Sequence, residues 1–162
     1  MKQGSPFSIG VDGRQIGWRE HVALPDLGIE SMRAKIDTGA RTSALNTTEL
    51  ESFERDGQEW VRFALPAAGQ KAMQRCEARL ADTRDIKNTG GISEPRPIIE
   101  TTIVLGKRSW VIEISLADRE NMQFNMIVGR TALRAQRLVV NPGKSFLAGQ
   151  PIRSTSIESN ET

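Results

Sequence analysis

The stretch PIIETTIVLGKRSWVIEISLADRE, residues 97–120, constrains the fold more than any other part of the chain. Apolar and polar residues alternate on both sides of Gly106 and Lys107, the period of a strand with one buried face rather than of a helix. Ile99, Thr101, Ile103 and Leu105 fall on one face of the first arm, and Trp110, Ile112, Ile114 and Leu116 on one face of the second. The stretch therefore predicts two strands folded back at Gly106–Lys107, with those faces meeting in one core. EWVRFAL (59–65) and CEARLAD (76–82) alternate in the same way. Helical patterning is confined to GRTALRAQ (129–136) and TTELESFE (47–54), each long enough for about two turns. Many short strands punctuated by Gly, Pro, Asn and Asp predict an all-β fold, a barrel or a sandwich, with one or two short helices.

With 162 residues, 38% of them hydrophobic, the chain can bury one substantial core. The expected organisation is a single domain over residues 1–153, followed by the small, polar tail STSIESNET (154–162). The net charge is only +2 and the basic residues are interspersed with acidic ones, which argues against nucleic acid as the main partner. No apolar run approaches the ~20 residues a membrane helix needs. The opening MKQGSPFSIGVDG lacks the apolar centre of a signal peptide, so the expected compartment is the cytoplasm. One cysteine, Cys76, leaves no intramolecular disulfide; between Arg75 and Glu77 it reads as an ordinary strand residue.

Chemistry enters at KIDTGARTSAL (35–45), where a half-apolar strand runs into turn-prone residues and carries a carboxylate, Asp37, at its end. A carboxylate so placed opens onto a cleft where backbone N–H groups can reach its oxygens. Gly39 lets a backbone approach closely, and the Thr38 hydroxyl can anchor the turn. Asp, Thr and Gly also favour turns everywhere, and a chance Asp-Thr-Gly arises in a chain this long on the order of a few per cent of the time. The tripeptide needs company.

It has company. KIDTGARTSAL resembles the active-site segment of retropepsin-like aspartic proteases, with Leu45 as the apolar residue eight positions after the aspartate. NMIVGRTAL (125–133) resembles their apolar-apolar-Gly-Arg segment, which leads into a short helix. Between the two, NTGGISEPRPII (88–99) stands where retroviral enzymes carry a glycine-rich flap. The chain is most similar to a bacterial branch of this fold often labelled putative ATP-dependent zinc protease: IGWREHVALPDLGIESMRAKIDTGARTSALN, NTGGISEPRPIIETTIVLG, ISLADRENMQFNMIVGRTAL and VVNPGKSFL all match its pattern.

The resemblance implies a closed or partly open acid-protease barrel and an aspartic endopeptidase. Two carboxylates within hydrogen-bonding distance share one proton; the ionised one activates a water and the protonated one donates to the scissile carbonyl. The chain has one Asp-Thr-Gly, so the second aspartate must come from another copy, which implies a C2 homodimer with Asp37 and its symmetry mate on the axis. By resemblance, Thr38 bonds across that axis and Gly39, Ala40 and Arg41 line the substrate. Gly90, Gly91 and Ile92 form the moving flap over an extended peptide, for which a plain hairpin turn is the alternative. Ile127, Val128, Gly129 and Arg130 support the loop from below, the first two as core and Gly129 by allowing close approach. Members of this branch are often associated with ATP-grasp ligases that attach glutamate, which implies a functional link of that kind.

The residues do not support the zinc and ATP of the label. A zinc site draws mainly on His and Cys, and the chain has one of each, His21 and Cys76, with no H-E-x-x-H. The lone His21 in REHVALP reads as a strand residue. NPGKS ends like a phosphate loop, but Leu138 holds the place of its first glycine, so these residues read as a turn before a last strand, SFLAG (145–149). No cofactor is expected.

Three departures from the retroviral pattern matter. Arg41 occupies the position of the acid that there pairs with the arginine of the Gly-Arg segment, so Arg130 must find another partner or turn outward. Arg41 itself either lines the cleft and favours acidic substrate side chains or is simply exposed. Pro95 and Pro97 remove backbone donors and are expected to stiffen or shorten the second flap strand, and the long spacing from Asp37 to Gly129 leaves room for an extra strand or loop around 50–80. A non-catalytic peptide-binding module on the same fold and, last, a metal-dependent peptidase are the alternatives to the aspartic peptidase.

Overall fold

The computed structural model describes residues 13–66, 73–87, 90–118 and 123–152. The long alternating stretch is a hairpin: β9 (Ser93–Leu105) and β10 (Arg108–Ala117) pair antiparallel, with Ile103 opposite Trp110 and Ile99 opposite Ile114. Gly106 has φ 60° and Lys107 is not in the positive-φ region, the arrangement of a type II′ turn that matches the twist of the two strands. Ile99, Thr101, Ile103, Leu105, Ile112, Ile114 and Leu116 are buried as the alternation requires, while Trp110, near the turn, is half-buried against the core.

Around this hairpin the sheet closes on itself. β2 (Arg19–Leu24), β3 (Ile29–Asp37), β4 (Ser43–Asn46) and β11 (Met126–Gly129) complete the circuit β10-β4-β11-β3-β2-β9, and the β9–β10 pairing shuts it. Closure removes all but the outermost edge, to which β8 (Asp82–Lys87) is added along β9. Leu24, Leu45, Ile99, Ile103, Ile114, Leu116 and Met126 fill the interior. Helix α1 (Arg130–Ala135) follows β11 directly, placing Ala132 and Leu133 against the core. β1 (Gln15–Gly17) pairs in parallel with β12 (Val139–Asn141). The all-β barrel expected from the sequence is the fold observed, and helix 129–136 is present.

Several local expectations are corrected. Residues 47–54 are not helical: β5 (Thr48–Arg55) pairs with β6 (Gln58–Leu65), and β6 with β7 (Gln74–Arg79), in a separate three-stranded sheet that accounts for the extra length between Asp37 and Gly129. Asp56 (φ 52°) and Gly57 (φ 77°) form the two-residue turn between β5 and β6, which makes the pairing stronger than a capless two-turn helix. CEARLAD is not one strand. Leu80 N–H donates to Glu59 O and Ala81 N–H to Ile98 O, so the chain passes there from the small sheet to the barrel. The prolines do not shorten β9 either: Ile98 O points to Ala81, so by period two Pro95 and Pro97 turn their missing donors to the other edge.

SFLAG forms no strand. Phe146 has φ 57° and the segment lies along β1 and β2 as an irregular strap, with Phe146 N–H donating to Arg19 O. A buried carboxylate holds it: Glu20 is 0% exposed and accepts N–H groups of Gly17 (2.6 Å), Leu147 (2.9 Å) and Ala148 (3.1 Å). Three donors on one carboxylate satisfy the charge that burial would otherwise penalise. The tail at 154–162 lies outside the described residues.

Candidate active site

Asp37 is the last residue of β3 and sits in parallel register with Gly129 at the end of β11. Two strands thus end side by side where the chain turns out of the barrel, and the carboxylate is half-buried at that mouth. The turn that follows is held on both sides. On one, Gly39 N–H donates to Asp37 Oδ1 (3.0 Å) and Ala40 N–H to Asp37 O (3.2 Å). A Cβ on Gly39 would lie 3.2 Å from that same Oδ1, so a side chain there would crowd the carboxylate.

On the other side, four consecutive carbonyls of the turn are taken up by the start of α1. Arg130 Nη1 lies 3.1 Å from Gly39 O and 3.5 Å from Thr38 O; Arg130 N–H donates to Ala40 O (2.8 Å) and Thr131 N–H to Arg41 O (3.2 Å). Arg130 therefore has the other partner that the loss of the acid at position 41 demanded: the main chain of the loop itself. Gly129 permits this contact, since a Cβ would stand 2.7 Å from Thr42 C and 2.9 Å from Ala40 O. Its N–H donates to the Oγ of buried Ser43 (3.0 Å), and Ser115 Oγ donates to Ser43 O (3.2 Å). Ser43 and Thr131 are support residues the sequence reading missed; a small hydroxyl six positions past a candidate carboxylate was the only cue.

Val128 is core, as expected, but Ile127 points to the opposite face of β11 and is half-exposed, a consequence of strand alternation that the expectation of two core residues overlooked. Thr38, Gly39 and Arg41 are exposed and Ala40 half-buried. Gly90, Gly91 and Ile92 lie at the turn joining β8 to β9, with Gly91 at φ 79° and Ile92 64% exposed. Arg84 of β8 shares a groove of about 240 Å³ with Arg41, Ser43, Glu113 and Thr131, so the strand leading to that turn flanks the Asp37 loop. A larger cavity of about 480 Å³ lies at the opposite end of β3, lined by Ile29, Arg33, Gln74 and Phe124.

Charge in the groove is organised by Arg84, which donates to both oxygens of Glu113 at 2.8 Å and through Nε to Asp82 Oδ2 at 2.8 Å. These bonds hold the Glu113 carboxyl below its ordinary value, and Arg84 with the Thr83 N–H does the same for Asp82. Burial pushes the Cys76 thiol up, as suits a strand residue whose Sγ faces Leu27 O. His21 stacks on Phe146 with ring centroids 4.4 Å apart. Among the described residues no three His, Cys, Asp or Glu side chains come together as a metal site would require. The turn at 141–144 is present, with Lys144 O accepting from Trp18 N–H. No helix among the described residues is long and apolar enough to cross a membrane.

Comparison with known proteins establishes the family and supports the fold. The family model described as RimB-like, retropepsin-like aspartic endopeptidase RimB, matches residues 15–151. The chain belongs to that family. It is also similar to proteins named probable alpha-L-glutamate ligase: 37% identical over 137 residues to one from Shewanella pealeana, covering 83% of this chain and 30% of the relative. A relative of the same name from Parasynechococcus marenigrum is 34% identical over 145 residues, 88% of this chain and 31% of its own. The chain thus spans less than a third of the length of these relatives. In fold it resembles a crystal structure of a Legionella pneumophila protein described as of unknown function, with a TM-score of 0.71 at 24% identity, covering 83% of this chain and 97% of that one.

Proposed function

We propose that this member of the RimB-like family is an aspartic endopeptidase in which Asp37 and its copy from a second protomer share a proton across a C2 axis. The observation that carries the reading is the Asp37 carboxylate itself: half-buried at a barrel mouth, held by the Gly39 N–H, on a turn whose carbonyls are all tied down. A preorganised carboxylate costs little reorganisation when charge moves during reaction. In this mechanism the ionised Asp37 takes a proton from water as the water attacks the peptide carbonyl, and the protonated partner carboxyl donates to the carbonyl oxygen. The tetrahedral intermediate then collapses as the leaving amine takes a proton, with no acyl-enzyme. The exposed Thr38 is free to meet its symmetry mate, and the turn with Gly90, Gly91 and Ile92 would close over an extended peptide and exclude water.

The exposed Arg41 lines the groove, where Arg84 is already paired with Glu113 and Asp82, and its guanidinium supports a preference for acidic side chains near the scissile bond. The relatives named as glutamate ligases support a functional link to an ATP-grasp ligase, testable by co-purification with such a ligase from the same cells. One unpaired cysteine suits work in the reducing cytoplasm.

The test is Asp37→Asn in a peptide-library cleavage assay, with sedimentation to follow the dimer. Cleavage is expected to disappear while dimerisation persists. Full activity in that variant, or cleavage by a strict monomer, defeats the mechanism. Binding without cleavage by the parent would leave a peptide-binding module, and loss of cleavage on chelation would point to metal. In the same library Arg41→Glu is expected to change the side-chain preference.

A further inference from the structure

We infer that Arg130 is a positioning residue of the active site, acting on Asp37 through the two peptide groups between them. Each contact of its guanidinium meets the carbonyl end of a peptide whose N–H end holds Asp37. The Thr38–Gly39 peptide presents its carbonyl to Arg130 Nη1 (3.5 Å) and its N–H to Asp37 Oδ1 (3.0 Å). The Gly39–Ala40 peptide presents its carbonyl to the same Nη1 (3.1 Å) and its N–H to Asp37 O (3.2 Å). In a trans peptide the C=O and N–H point in opposite directions, so the guanidinium at the carbonyl end and an oxygen acceptor at the N–H end, the Asp37 carboxylate for the first peptide and the Asp37 main-chain carbonyl for the second, both align with the group dipole. Hydrogen bonds linked in this way strengthen one another, by roughly 10–30% per bond.

The arrangement follows from what stands at position 41. An acid there would offer the guanidinium a charge-assisted, bidentate partner and draw it off the loop carbonyls. Arg41 offers none, and its own carbonyl is already taken by the Thr131 N–H. Arg130 is left to spend its donors on the turn. The start of α1 and the orientation of the carboxylate are thereby joined in one network, which a merely space-filling arginine would not do.

This inference rests on Asp37 being the reacting carboxylate, and the experiment separates the two claims. Arg130→Met, Arg130→Lys and Arg41→Asp are made in the full chain. Backbone amide resonances and hydrogen exchange are recorded at Gly39 and Ala40, and kcat and KM are measured on the best-cleaved library peptide. In Arg130→Met the Gly39 and Ala40 amides are expected to shift, with exchange about tenfold faster, while amides of the barrel strands hold their protection. The expected fall in kcat is about tenfold or more with KM within about twofold, because the carboxylate is misaligned rather than the peptide unbound. Arg130→Lys should restore part of both effects. Arg41→Asp, which leaves Arg130 in place, should reproduce the amide shifts by drawing the guanidinium away, and serves if Arg130→Met fails to fold. Unchanged Gly39 and Ala40 amides in both Arg130→Met and Arg41→Asp overturn the inference whatever the activity. Amide shifts in these variants when the parent cleaves no peptide uphold the network and sink the peptidase reading alone.

Discussion

Replacing Gly129 by alanine sets two effects of opposite sign against each other at the active site. Gly129 has φ −86° and ψ 170°, ordinary extended backbone that alanine adopts without strain. On backbone grounds alone the substitution would therefore stabilise the chain by about 0.4–1 kcal/mol, through lost freedom in the unfolded state. Sterics point the other way. The added Cβ would stand 2.7 Å from Thr42 C, 2.9 Å from Ala40 O and 3.0 Å from Ser43 N, all main-chain atoms of the segment after Asp37 that cannot rotate aside. Carbon contacts relax only at roughly 3.5–4.0 Å, so the loop must move outward by about 0.5–1 Å. Overpacking of this kind costs about 1–3 kcal/mol, which outweighs the entropic gain and leaves a net loss of about 1–2 kcal/mol. At roughly 3 °C per kcal/mol for a chain of this size, the midpoint of thermal unfolding should fall by about 3–6 °C. The functional loss should be larger, because displacing the loop stretches the Arg130 and Thr131 bonds to it. A shift near 1 Å at a reacting group can lower the rate by about 100-fold. Differential scanning calorimetry and the library cleavage assay read the two quantities. A variant that melts at or above the parent temperature and cleaves at the parent rate would show that the loop does not rest on Gly129.

Two further predictions concern charge. Glu20→Gln turns one of the three-bond acceptor's oxygens into a donor facing an N–H, and should cost about 1–3 kcal/mol in urea unfolding; a change under about 0.5 kcal/mol would mean the strap does not depend on that carboxylate. Arg84 holds the Glu113 carboxyl below its ordinary 4.5, so this pair adds stability above that value and loses it as pH falls through and below it. Both side chains are near 40% exposed, which keeps the effect modest. The unfolding temperature of Glu113→Gln should fall less than that of the parent between pH 7 and pH 4, and parallel curves would refute the assignment.

Local patterning carried much of the fold. The alternation in 97–120 was enough to place Ile99, Ile103, Ile114 and Leu116 inside, because a strand's period of two is a property of the backbone and not of its neighbours. The same rule, carried one residue too far, put Ile127 in the core beside Val128. Residues 47–54 misled because their apolar spacing is weak; the Asp56–Gly57 turn, just beyond them, was the stronger local signal. At the site, Asp37, Thr38 and Gly39 were legible because their chemistry is local, whereas Ser43 and Thr131 were not, since their roles exist only where the end of β11 and the start of α1 meet the loop and β4.

By itself the sequence determined the class of fold, the carboxylate at the end of β3 and the glycines that let chain segments approach. Tertiary structure decided where charges find their partners. Arg130 reaches the carbonyls of Thr38 and Gly39 across more than ninety positions of chain, and Glu20 gathers the N–H groups of Leu147 and Ala148 from farther still. The physical reason is range: periodicity and turn preference are set within a few residues, while a buried or semi-buried charge is satisfied by whichever donor or acceptor the closed barrel brings within about 3 Å.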